Sequence, residues 1–137
     1  MIKVAVIIVA AGLGRRFGQQ KQFSFLKGKT VLDWSLERFN RHERISQIVL
    51  VLPKGSHAQE MRKRYPKIIE IAEGGETRQE SVASGFKYLA LKPMDVVLVH
   101  DAVRPLVTSG LIDRIISAVI DNGAAVPIVP VEDTVKE

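Results

Sequence analysis

The chain has 137 residues, 46% apolar and 26% charged, the balance of one globular domain rather than a disordered chain. It has no cysteine, which excludes disulfide scaffolds, zinc–thiolate and iron–sulfur sites and cysteine nucleophiles, and suits a reducing compartment. The net charge of +5 is uneven: residues 1–67 carry 14 Lys/Arg against 4 Asp/Glu, whereas residues 68–137 carry 6 against 11. The first half therefore suits a polyanion such as nucleic acid, an anionic membrane or a nucleotide, or else simply presents a solvated basic face.

Residues 3–9 are apolar on both faces (Val4, Val6, Ile7, Ile8, Val9) and predict a buried parallel strand. A short signal peptide is the competing reading of this opening, but the β-branched run and the Arg15-Arg16 pair directly after it favour the strand. A Gly-rich loop follows, from Ala10 to about Gln20. Thr30 then caps a helix, with Asp33 completing a capping box and Leu32, Leu36 and Phe39 on one stripe. Residues 48–52 predict a second strand, closed by Pro53. Ser56-His57-Ala58-Gln59 has a capping-box pattern and predicts a polar helix to about Tyr65. Residues 68–72 predict a third strand, and Glu73-Gly74-Gly75-Glu76 a turn. Thr77 and Glu80 form another capping box, opening a helix with Val82, Phe86 and Leu89 on its apolar stripe. Residues 96–99 predict a fourth strand ending in His100-Asp101. A helix over 108–122 has Leu111, Ile112, Ile115, Ile116 and Val119 inward and stops at Asn122-Gly123. Residues 124–129 predict a fifth strand.

This alternation predicts one α/β domain over residues 1–137, a three-layer, mostly parallel sheet with right-handed crossovers. Ligands of such sheets bind at the carboxyl ends of the strands, here the loops after the first, third, fourth and fifth. Residues 133–137 follow a predicted strand and lead into no further element, so truncation at the C-terminus is expected. No apolar run is long enough to span a bilayer, for which about 18–20 residues are needed.

The first loop reads Ala10-Ala11-Gly12-Leu13-Gly14-Arg15-Arg16-Phe17-Gly18. Gly12 and Gly14 fit a dinucleotide fingerprint, but Phe17 replaces its third glycine, and Leu52-Pro53-Lys54 offers no acidic ribose partner, which argues against NAD. Gly28-Lys29-Thr30 resembles the end of a phosphate-binding P-loop, yet Phe23 stands where its first glycine belongs. What remains is a small-residue loop whose backbone N–H groups could cradle an anion, with Arg15, Arg16 and Lys21 to neutralise phosphate. Taken alone, a tight turn with solvated basic side chains fits equally well. Asp101, at the end of a strand, could help hold Mg²⁺, a hard cation that takes one or two carboxylates plus phosphates, or could pair with Arg104. His100 reads better as an orienting or core histidine than as a ligand or base. His42 and His57 carry no signal. No Ser/His/Asp order or carboxylate pair supports acyl transfer or glycoside hydrolysis.

Together, Ala10-Ala11-Gly12-Leu13-Gly14-Arg15-Arg16, Lys21-Gln22-Phe23, Gly74-Gly75-Glu76-Thr77-Arg78 with Ser81-Val82, Val99-His100-Asp101-Ala102-Val103-Arg104-Pro105 and Pro130 to Lys136 form a series. In order and approximate spacing it resembles the 2-C-methyl-D-erythritol 4-phosphate cytidylyltransferase family. The G-G-x-x-R and H-D-A-x-R elements are its most specific parts. The resemblance implies a Rossmann-like nucleotidyltransferase fold. It also implies a Mg²⁺-dependent, cytoplasmic enzyme of non-mevalonate isoprenoid synthesis, with CTP and a polyol phosphate as substrates and no nucleic-acid or membrane partner. Arg16 and Lys21 would then stabilise the charged transition state. Ala10, Ala11, Gly12 and Gly14 would contact the nucleotide through the backbone. Gly75, Glu76 and Ser81 would read cytosine, with Ala102 nearby. Asp101 would meet the ribose and Mg²⁺, and Thr134 and Arg104 would lie on the side of the methylerythritol phosphate.

The sequence departs from the family in having Gln20 where proline is usual, a shorter stretch between Arg16 and Lys21, and Val103 where a smaller residue is common. The resemblance covers about the first two-thirds of the family's length. The remainder is expected to bring the arm that builds a homodimer, basic residues for the second substrate and a further metal-side carboxylate. The nearest alternative is a cytidylyltransferase for another polyol phosphate such as ribitol 5-phosphate. An alternative of another class is a non-catalytic nucleic-acid-binding domain, suggested by the basic half. Its aromatic content of 6%, with no aromatic-interleaved basic strand, argues against base stacking.

Overall fold

The computed structural model describes residues 2–13 and 20–130. In chain order these form β1 (Val4–Val9), a single 3₁₀ turn (Lys21–Phe23), β2 (Phe25–Leu26), β3 (Lys29–Thr30), α1 (Val31–Arg41) and β4 (Gln47–Leu52). Then come α2 (Gln59–Arg64), β5 (Ile68–Glu73), α3 (Arg78–Phe86), β6 (Val96–Asp101) and α4 (Ser109–Asn122). β5, β4, β1 and β6 make one parallel sheet in that order. β1 sits inside it, as its apolar run on both faces requires. The chain builds outward from β1 to β4 and β5, then crosses back to place β6 on the other side of β1. That reversal makes the carboxyl ends of β1 and β6 a topological switch point.

Alternation within the strands feeds two cores. Val4, Val6 and Ile8 of β1 and Ile48, Leu50 and Leu52 of β4 meet Leu32, Leu36 and Phe39 of α1 and Ile112 and Ile116 of α4. Each fully buried aliphatic side chain here contributes about 1.5–3 kcal/mol. On the opposite face Ile7, Val49, Val51 and Ala72 pack under α3 and Leu89, and Val99 in β6 remains 43% exposed.

Local chemistry sets the helix ends. Thr30 Oγ1 accepts from Asp33 N at 3.0 Å while the Asp33 carboxylate accepts from Thr30, the expected capping box. The Asp33 carboxylate also takes the Arg64 guanidinium and, at 2.8 Å, the Tyr65 hydroxyl, so it ties the start of α1 to the end of α2. Burial alone would push Asp33 up, but the Thr30 and Tyr65 hydroxyls and Arg64 outweigh it and hold its carboxyl below the ordinary value. Thr77 and Glu80 form the second expected box, and Thr108 caps α4, which ends in left-handed Gly123.

Three expectations are corrected, and one element is new. α2 starts at Gln59 with Ala58 as its cap, because Ser56 turns back to donate to Pro53 O at 2.6 Å. Phe86 is 52% exposed, and α3 buries Ser81 and Gly85 instead. The helix lies so near the sheet that a Cβ on Gly85 would come within 2.8 Å of Ile7 and 2.9 Å of Val51. Residues 124–129 form no strand: they have no sheet partner among the described residues, and Val126 and Ile128 are 80% and 89% exposed. The small β2–β3 hairpin was not foreseen. Its turn, Lys27-Gly28, takes the two positive φ angles that two-residue hairpins favour.

Candidate functional site

The loops after β1, β4, β5 and β6 meet at one end of the sheet. Ala10 N donates to Val51 O at 2.8 Å, Gly74 N to Leu52 O at 2.8 Å and Ala102 N to Val9 O at 2.9 Å, so each loop begins by bonding a neighbouring strand. This brings Ala10, Ala11 and Gly12 beside Gly74-Gly75-Glu76 and Asp101-Ala102. The approach is closest between Gly74 and Ala11: a Cβ on Gly74 would collide with that of Ala11 and stand 3.0 Å from Ser81 Oγ. Glycine is required there by contact rather than by backbone twist.

The turn after β5 is shaped by the first residues of α3. Ser81, fully enclosed, accepts from Gly75 N at 3.1 Å. Glu80 accepts from Glu76 N at 2.7 Å, and its ordinary capping bond to Thr77 N is also present. The Glu76 side chain itself is left exposed.

Asp101 lies across from this turn. Its Oδ1 accepts from Arg78 Nε at 3.0 Å and faces Arg78 Nη2 at 3.0 Å, a side-on pair, while Oδ2 lies 3.6 Å from Arg104 Nε. The expected Asp101–Arg104 pair therefore exists, but Arg78 is the closer partner. His100 Nε2 donates to Arg104 O at 3.0 Å, and its ring packs 4.8 Å from that of Phe39. Burial pushes the imidazole below its ordinary range despite that carbonyl and the nearby Asp101 charge, so it stays neutral and orients the 101–105 turn.

Lys21 opens the 3₁₀ turn at an exposed position. Its neighbour Gln22 is buried and donates to Ala10 O at 2.9 Å and Gly12 O at 2.7 Å. A sequence pattern gives no warning of this, because the bonded residues stand 12 and 10 positions apart. Gly14, Arg16 and Thr134 lie outside the described residues. Among the described residues no three His, Asp or Glu gather into a metal cage. A cation here would have Asp101 and the oxygens of a bound ligand, a donor set that fits Mg²⁺. No helix among the described residues is long and apolar enough to cross a membrane.

A family model for 2-C-methyl-D-erythritol 4-phosphate cytidylyltransferase (IspD) matches residues 4–137. The chain is 44% identical over 142 aligned positions to the bifunctional enzyme IspD/IspF of Mesorhizobium japonicum, covering 97% of this chain and 34% of that protein. It is 43% identical to the 2-C-methyl-D-erythritol 4-phosphate cytidylyltransferase of Clostridium botulinum, covering 99% of this chain and 62% of that one. A crystal structure of 4-diphosphocytidyl-2C-methyl-D-erythritol synthase superimposes with a TM-score of 0.83 at 32% identity, over the whole of this chain and 64% of that one. The chain thus spans between about a third and three-fifths of the length of these curated relatives. With this fold and these loops, the chain belongs to the 2-C-methyl-D-erythritol 4-phosphate cytidylyltransferase family.

Proposed function

We propose that the protein transfers the cytidylyl group of CTP to 2-C-methyl-D-erythritol 4-phosphate, giving 4-diphosphocytidyl-2-C-methyl-D-erythritol and pyrophosphate, and that this chain carries the CTP-binding part. The observation that carries the reading is the meeting of the loops 10–12, 74–76 and 101–102 at the switch point, with Gly74 against Ala11. In this reading the 10–12 backbone faces the phosphates, Gly75, Glu76 and Ser81 read the base, and Ala102 closes the nucleotide pocket beside Asp101. Arg16 and Lys21 neutralise charge at the reacting phosphorus, and Gly14, Arg104 and Thr134 complete the two substrate sites.

The acceptor's phosphate is already an anion, so no general base is needed. Its oxygen bonds to the α-phosphorus of CTP as the α–β bridging bond breaks and pyrophosphate leaves with that electron pair. Catalysis rests on alignment and on charge neutralisation. Mg²⁺, held by Asp101 and nucleotide phosphates, would supply further neutralisation. The attribution extends to a cytoplasmic enzyme that is a homodimer at full length.

A thermal-shift titration with CTP, ATP, GTP and NAD, each with and without Mg²⁺, tests the reading. Ligand at 100 times its Kd adds about 2.7 kcal/mol to stability. A CTP-selective shift is expected. No shift with any nucleotide, in this chain and in the full-length protein, overturns the reading. Product mass with methylerythritol phosphate against ribitol 5-phosphate then fixes the acceptor.

A further inference from the structure

We propose that Gln22 is the positioning residue for the phosphate side of the site, an inference that rests on the nucleotide reading of the 10–12 loop. Its side chain is 3% exposed, and its single NH₂ group spends both hydrogens on carbonyls two residues apart, Ala10 O at 2.9 Å and Gly12 O at 2.7 Å. All described peptides are trans. A trans peptide carries its N–H opposite its C=O. Turning the carbonyls of 10 and 12 onto Gln22 therefore turns the N–H groups of Ala11 and Leu13 to the other side of the loop. One buried amide thus sets the direction in which the loop presents donors to an anion.

The chemistry singles out glutamine. One buried and one part-buried carbonyl, two residues apart, need two donors on one short, neutral group. A carboxylate offers none, and a lysine or arginine would bring a charge into an enclosed position. The same turn also carries Lys21. Phe23 N donates to Gln20 O at 3.1 Å, Ser24 N to Lys21 O at 3.0 Å and Val31 N to Ser24 O at 2.9 Å, which locks the turn to the start of α1. Gln22 therefore couples the backbone that carries Lys21 to the loop that faces the phosphates.

The test measures binding of CTP and of cytidine, which has no phosphates, by calorimetry on three variants of this chain. Gln22→Met keeps the volume and loses both donors. Gln22→Asn keeps the amide but withdraws it by one methylene. Tyr65→Phe loses a buried hydroxyl bond to Asp33 outside the loop. Releasing both carbonyls from their shared donor is expected to weaken CTP about tenfold in Gln22→Met, while cytidine binding stays within about twofold. Gln22→Asn falls between, and Tyr65→Phe lowers Tm with both affinities intact. Equal losses for CTP and cytidine, or no loss for either, in whichever Gln22 variant folds, overturn the positioning role alone. A parent that binds neither ligand, in this chain and in the full-length protein, overturns the nucleotide reading and Gln22's role with it.

Discussion

The two walls of the crevice are built from different materials. The wall after β1 stands on an enclosed, neutral amide: Gln22, which donates to Ala10 O and Gly12 O under the loop. The wall formed by the α3 start and the 101–105 turn is clasped by Arg78–Asp101–Arg104, whose guanidinium side chains are largely exposed. Enclosed neutral bonds are costly to break, because each leaves an unpaired group, whereas exposed ion pairs contribute about 0–1 kcal/mol and are screened by salt. The first wall is therefore preset, and the second can exchange its arginines for a ligand or cation at little cost.

Lys21 tests the preset wall most severely. In the full-length protein Lys21→Ala should lose about 10²–10³ in turnover, the usual effect of removing one transition-state donor, with CTP binding largely kept. Turnover at the parent rate would take Lys21 out of the mechanism. Gly74→Ala comes next and acts where the walls touch. Its methyl group would collide with Ala11, so a loss of about 1–3 kcal/mol is expected in urea unfolding. An unchanged midpoint would mean that the walls part easily and that the close approach is no constraint. Arg78→Ala should do least: under about 1 kcal/mol in low salt, and less in high salt. A loss of several kcal/mol, insensitive to salt, would make the second wall as rigid as the first.

Much of this was legible in the sequence because the signals are local. Continuous apolar runs gave four strands, and Thr30/Asp33 and Thr77/Glu80 gave two helix starts. The motif residues Ala10 to Gly12, Gly75, Ser81, Asp101 and Ala102 lie together at one end of the sheet. What failed depended on partners. Residues 124–129 have strand composition, but a strand exists only beside another one. Phe86 fits the helical period, yet the spacing of α3 from Ile7 and Val51 admits only small side chains at Gly85. Ser56 has a capping spacing but finds Pro53 O first. The tasks of Gln22 and Arg78 depend on distant chain and no spacing rule reveals them.

The central place of β1 carries a consequence for synthesis. Its pairing with β6 is extended by the bond from Lys3 N to Asp95 Oδ1, across 92 residues. At roughly 5–20 residues per second, that interval lasts about 5–18 seconds on the ribosome. Through it the most apolar strand of the protein has one edge unpaired, a template for wrong partners as much as for β6. Such long-range pairing also slows folding. The strand that anchors the 10–12 loop emerges early and is enclosed late, so the yield of native protein depends on how well β1 is shielded until β6 arrives.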